Sequence, residues 1–191
     1  MHRSSAVLFA VMMCSSFAFA SQAYEIDRSG SQAKFSIRHF AETVEGTFND
    51  ISGSIAYDPA DVSKSKVHVV IKIASVDTHS SQRDHHLQGG EFFDAGNFPE
   101  MIFDSQRIEK RASGLMAIGN FTMRGTTKSI EIPFTLAVPG NDPSHSRMSI
   151  HGTVAVNRRE YKVGSNEMVD NQLTLGDEVK IELNVQAIPV R

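Results

Sequence analysis

The sequence predicts an all-β protein, a single antiparallel barrel or sandwich. Three observations carry that expectation. Apolar residues recur at every second position through most of the chain, the period of a strand with one dry and one wet face. Turn residues punctuate those segments at Asp58-Pro59, Ser113-Gly114, Arg124-Gly125 and Pro139-Gly140-Asn141-Asp142-Pro143. No helical period runs beyond two or three turns. Roughly eight or nine strands of ~8–10 residues follow. About eight strands closed into a barrel leave room for one small ligand.

In chain order, residues 1–20 stand apart from the fold. Arg3 and the amino terminus are followed by an apolar run over 6–13 and by Ala18-Phe19-Ala20. This is the pattern of a cleaved export signal, with a mature start at Ser21 and cleavage after Ala23 as the alternative. Val11-Met12-Met13 before Cys14 lacks the small residues of a lipoprotein signal. Export removes the one cysteine, so the single domain expected over 21–191 folds without a disulfide. The expected destination is the periplasm.

The first strand places Ala33, Phe35 and Ile37 on one face and Lys34, Ser36 and Arg38 on the other. Less regular strands are expected near 44–49, 51–57 and 101–109. Val67, Val69, Ile71 and Ile73 form one apolar face, as do Leu115, Ala117, Phe121 and Met123. Ile130, Ile132, Phe134, Leu136 and Val138 form another, with Pro133 marking an edge or a bulge. Met148, Ile150, Val154 and Val156 follow, and Val179, Ile181, Leu183 and Val185 close the series. One stretch, 78–99, breaks the alternation. Ser81 followed by Asp84 resembles a capping box, and Gly89 is a natural stop. A short helix is expected over 81–88 and a further helical turn over 91–95. Phe92, Phe93 and Phe98 make the insertion apolar, suited to lie over a barrel mouth or to plug it.

Charge and composition narrow the function. The net charge is −3 and the apolar fraction 40%, which argues against bulk disorder and against a nucleic-acid partner. No apolar run in the mature chain is long enough to span a bilayer. His79, Asp84, His85 and His86 are close in sequence, yet adjacent histidines on a helix point about 100° apart. They lack a third ligand at metal-binding spacing, and no metal or cofactor is expected. There is no G-x-S-x-G elbow and no mature cysteine nucleophile. Asp58 and Asp61 belong to turns for backbone reasons. Arg158-Arg159 reads as a solvated pair. An enzyme is therefore disfavoured. Periodicity does not decide between a lipid pocket and a filled core, and by itself favours the filled core, because nine phenylalanines outside the signal could fill a barrel or line it.

A resemblance adds to this reading. Ser75-Val76-Asp77-Thr78, Arg83-Asp84-His85-His86-Leu87, Glu91-Phe92-Phe93-Asp94, Phe98-Pro99 and Phe103-Asp104-Ser105 together resemble the YceI-like family. Tyr24-Glu25-Ile26-Asp27, Phe35-Ser36-Ile37-Arg38-His39, Val44-Glu45-Gly46-Thr47-Phe48 and the run 119–128 extend the likeness over nearly the whole mature chain. The resemblance implies an exported, antiparallel, eight-stranded lipocalin-like β-barrel with a short helical insertion between strands. It also implies non-covalent binding of a polyisoprenoid or isoprenoid-quinone type of lipid, with no catalytic residues. Gln88 stands where many relatives carry a charge.

On that reading Phe35, Ile37, Phe48, Val69, Ile71, Phe121, Met123 and Phe134 line the interior. Phe92, Phe93 and Phe98 shield the ligand near the mouth. His39 is the candidate polar contact, and Arg83 with Asp84 fixes the helix. A homodimer is compatible with the sequence. The rival readings are a filled-core interaction protein of the cell envelope and a small metal-dependent hydrolase.

Overall fold

The computed structural model describes residues 21–138, 147–164 and 175–190. The expected signal segment and the 139–143 turn lie outside them. Among the described residues the strands are β1 (Gln22–Ile26), β2 (Gln32–His39), β3 (Glu42–Phe48), β4 (Ile51–Tyr57), β5 (Lys66–Lys72) and β6 (Val76–Asp77). Helix α1 (Ser81–Gln88) follows, then β7 (Glu100–Arg111), β8 (Gly114–Met123), β9 (Thr126–Ala137), β10 (Met148–Asn157) and β11 (Leu175–Pro189).

The first six strands are three lines of chain, each interrupted once. β1 and β2 are separated at Asp27, whose carboxylate accepts the Ser29 amide and caps a 3-10 turn. Both pair antiparallel with β11, Tyr24 opposite Pro189 and Phe35 opposite Ile181. β3 and β4 are interrupted at Asn49-Asp50, and β5 and β6 at a 3-10 turn over Ile73–Ser75. β1 pairs with β4 and β2 with β3; β4 pairs with β5 and β3 with β6. From β5 the order runs β7, β8, β9, β10, β11 and back to β1. The result is a closed antiparallel eight-strand barrel in which sequence neighbours are sheet neighbours. The β9–β10 ladder is short, four rungs from Ser149–Ala137 to Gly152–Phe134, and β3 meets β6 only at Thr47 and Phe48.

The interior is filled at one end only. Tyr24, Ile55, Ile108, Met148 and Ala187 pack there, each at most 3% exposed. At the other end Phe35, Ile37, Val69, Ile130, Val154, Val179, Ile181 and Leu183 face inward, yet are only half-buried. An eight-strand interior is just wide enough to be filled by side chains or to hold one small ligand, and this half is left hollow.

Pro133 does not occupy a sheet edge. It lies opposite Met116 of β8, at the residue where pairing to β10 ends, Gly152 opposite Phe134 being the last rung. Its missing N–H therefore falls where the ladder is already one-sided.

Two expectations for the insertion are corrected. The N-cap of α1 is Ser80, one residue earlier than the expected box, and its hydroxyl accepts the Arg83 amide. Asp84 is turned away to Thr78 and is not the partner in a capping box. Residues 91–95 form tight turns and no helix: the Phe92 and Asp94 amides donate to Gly89 O and the Phe93 amide to Leu87 O. Gly89 ends α1 in an extended conformation, and the left-handed residue of this stretch is Asp94, at φ 53°.

The two halves of the barrel should respond differently to truncation. Ile108→Ala, at the filled end, is expected to cost about 3 kcal/mol, the usual range for a buried large-to-small change. Ile181→Ala, on the hollow wall, should cost about 1 kcal/mol, since its side chain already borders open space. Urea denaturation of both variants measures the contrast; equal losses would mean that the barrel is filled throughout.

Candidate functional site

The hollow half of the barrel is a cavity of about 640 Å³. Its wall is built by the strand alternation itself: Phe35 and Ile37 from β2, Val44 and Phe48 from β3, Val69 and Ile71 from β5, Met101 and Phe103 from β7. Phe121 and Met123 of β8, Ile130 and Ile132 of β9, Val154 and Val156 of β10, and Val179, Ile181 and Leu183 of β11 complete it. Phe35 and Phe48 rings lie 5.4 Å apart, and Phe48 meets Phe93 edge-on at 5.6 Å.

Of the residues expected to line the pocket, Phe35, Ile37, His39, Phe48, Val69, Ile71, Phe92, Phe93, Phe121 and Met123 come together at this cavity. Phe98 and Phe134 do not. Phe98 lies over the β8–β9 turn, where a Cβ on Gly125 would come within 2.7 Å of its ring. Phe134 points inward, but at the filled end, beside Leu115 and Gly152. Alternation gives the face a residue takes; it does not give the depth at which filling stops.

The wall residues of β11 were legible as an apolar face, although no sequence signal separated wall from plug. Arg158 gave no signal at all. It is 2% exposed and borders the cavity, contrary to the solvated pair expected for Arg158-Arg159. Its Nε donates to Gly176 O, Nη1 to Val163 O and Gly164 O, and Nη2 to Leu175 O and the Asp177 carboxylate. A buried guanidinium is tolerable only when its five N–H groups are met in this way. Arg159 does lie at the surface, 2.5 Å from Asp177.

Gly46 opposes Phe35 across the β2–β3 ladder. A Cβ there would fall 2.5 Å from the Phe35 ring and 2.8 Å from the Thr78 methyl, so the end of the ring occupies the space a side chain would need.

The mouth is polar. Ser80, Gln82, Arg83, His85 and His86 of the insertion border the opening. Thr78, 2% exposed, fastens α1. Its amide and hydroxyl donate to the Asp84 carboxylate at 2.8 and 2.6 Å. Its hydroxyl accepts from Arg83 Nε at 2.8 Å and its carbonyl from Arg83 Nη2 at 2.6 Å. Arg83 and Asp84 thus fix the helix through Thr78. Beyond α1, Arg124 donates to Gly90 O and Lys162 O, and the Gly164 amide donates to Glu91 O at 3.0 Å. Phe92 packs on Gly164, whose φ of +56° and close ring contact both require glycine.

Two buried polar atoms near the cavity have no partner among the described residues, His39 Nε2 and the Tyr161 hydroxyl. Tyr161 packs edge-on against Phe121 at 5.5 Å. Burial, and then the neighbouring Glu160 charge, push its phenol above the ordinary tyrosine range. Among the described residues no three His, Cys, Asp or Glu side chains converge as metal ligands. No helix among them is long and apolar enough to cross a membrane. Asp58 accepts the Ala60 and Asp61 amides, a turn role and not an acid–base one.

The sequence matches the YceI-like domain over residues 24–187. The chain belongs to the YceI-like family. A UPF0312 protein of Yersinia enterocolitica is 39% identical over 137 residues, 70% of this chain and 71% of the relative. Among solved structures, BcnA of Burkholderia cenocepacia superposes with a TM-score of 0.75 at 24% identity, over 84% of this chain and 98% of that one. A polyisoprenoid binding domain from Saccharophagus degradans superposes with a TM-score of 0.68 at 15% identity, over 88% and 99% of the two chains. At these identities the two structures speak for the fold: this YceI-like barrel has their shape.

The Thr78 clamp is testable in isolation. Thr78→Val keeps the volume but removes the hydroxyl that joins Arg83 to Asp84, leaving both short of a hydrogen bond. Amide hydrogen exchange across 81–88 should speed up by about tenfold, while the β7–β8 ladder stays protected. Unchanged exchange in α1 would show that other contacts hold it.

Proposed function

We propose that this YceI-like protein holds one polyisoprenoid-type lipid in its barrel, without covalent chemistry, and that it does so in the periplasm after removal of residues 1–20. The observation that carries this reading is the hollow half: about 640 Å³ walled by aliphatic and phenylalanine side chains. At roughly 30 Å³ per water-sized group, that volume takes about twenty heavy atoms. Each methylene moved there from water contributes about 0.8 kcal/mol, so a branched hydrocarbon chain binds without a charge partner. The name of the Saccharophagus degradans neighbour supports the same ligand class. A filled-core interaction protein does not fit a barrel that is open over half its length. A hydrolase would need several polar groups converging in the wall; beside its apolar residues the wall holds Arg158, bonded to backbone carbonyls and Asp177, and the single imidazole of His39.

Native mass spectrometry of protein purified from the periplasm without detergent tests the reading, with organic extraction of any adduct. The expected result is a discrete adduct that extracts as an isoprenoid, on a chain beginning at Ser21 or Tyr24. Val154→Phe fills the cavity without burying charge and should lose the adduct while keeping the wild-type melting temperature within a few degrees. Phe121→Asp should also lose it. An apoprotein that takes up no added polyprenyl lipid would end the proposal.

A further inference from the structure

We infer that His39 is the recognition point for an uncharged oxygen, a hydroxyl or a ring carbonyl, at the head of the bound lipid. This rests on the lipid reading above and adds what the ligand must carry. His39 is the last residue of β2, opposite Leu175 of β11 at the mouth end of the barrel. Its side chain shares the inward face of Phe35 and Ile37 and borders the cavity. Its Nε2 is shut off from solvent and has no hydrogen-bond partner among the described residues. The Phe40 ring lies against the imidazole, 4.7 Å away, and gives Nε2 no partner. A buried polar atom in that condition costs about 1–3 kcal/mol, and most such atoms in folded proteins are satisfied. A ligand oxygen in the cavity would satisfy it.

The geometry sets the ligand's polarity and orientation. Below His39 the wall is apolar down to the plug, so the hydrocarbon end goes inward and the oxygen stays at the mouth. The head is uncharged because the guanidinium on the cavity wall has no donor left for an anion. All five N–H groups of Arg158 point at protein oxygens. Arg83, at the rim, gives Nε and one Nη2 hydrogen to Thr78. Imidazole Nε2 donates to a carbonyl in one tautomer and accepts from a hydroxyl in the other, so one residue serves both oxygen types.

The test uses three probes of one chain length: geranylgeraniol, the corresponding hydrocarbon without oxygen, and geranylgeranyl diphosphate. Calorimetry or native mass titration on the mature protein compares their affinities. The alcohol should bind about tenfold tighter than the hydrocarbon, and the diphosphate no tighter than the hydrocarbon. His39→Leu should bring the alcohol down to the hydrocarbon while leaving hydrocarbon binding unchanged or improved. His39→Gln, which keeps a donor and an acceptor, should restore part of the difference. Equal binding of alcohol and hydrocarbon by the wild type would overturn the His39 assignment and leave the lipid reading standing. So would discrimination that survives His39→Leu. Preference for the diphosphate would overturn the uncharged head. Failure of all three probes to bind would overturn the lipid reading itself.

Discussion

The return of β11 onto the start of the chain is the constraint from which the rest follows. Fifteen residues long, it pairs with β10 along one edge and with β1 and β2 in succession along the other. That double pairing closes the sheet, so most backbone hydrogen bonds of the wall are met within the wall, the four-rung β9–β10 ladder being the short one. A closed ladder does not need a filled interior to keep its polar groups satisfied. An open sandwich would collapse on such a gap, because its two sheets are held together only by the side chains between them. The barrel divides the tasks: Tyr24, Ile108, Met148 and Ala187 supply the dry packing at one end, and the other end is free to be empty.

The mouth is organised on a different principle. α1 carries almost no apolar surface, Leu87 being its one large aliphatic residue, so burial does not hold it in place. Charge-assisted hydrogen bonds from Arg83 and Asp84 to Thr78 hold its first turn, and hydrogen bonds from Arg124 and Gly164 to Gly90 O and Glu91 O hold the chain just beyond its end. Its apolar grip comes from Leu87 and, beyond its end, from Phe92 and Phe93. A segment fastened by a few discrete bonds can be released by breaking a few, which a segment sealed by a continuous apolar face cannot.

Most of the wall was legible in the sequence because strand period and inward face are the same information. Phe35, Ile37, Val69, Ile71, Phe121 and Met123 fall at the cavity for that reason alone. Depth was not legible. Phe134 alternates as cleanly as Phe121, yet it belongs to the plug, because its level in the barrel depends on strand stagger and not on parity. Phe98 was read with Phe92 and Phe93 from its place in the same greasy run, but a turn at Asp94 separates it from them. The Ser80 cap was missed by one residue since Asp84 serves Thr78, a contact between elements that local spacing does not encode. Arg158 left no trace: nothing in a pair of arginines after a strand distinguishes the one that is buried.

Gly46 bears on a question of capacity. The Phe35 ring rests on it with no side chain between. Even alanine there would lift the ring off the sheet, and the direction open to it is the empty interior. A single methyl on the wall would thus be multiplied into the displacement of a whole aromatic ring. In such a barrel one small residue opposite an aromatic one sets how much of the interior stays empty, with every strand, register and turn left as it is.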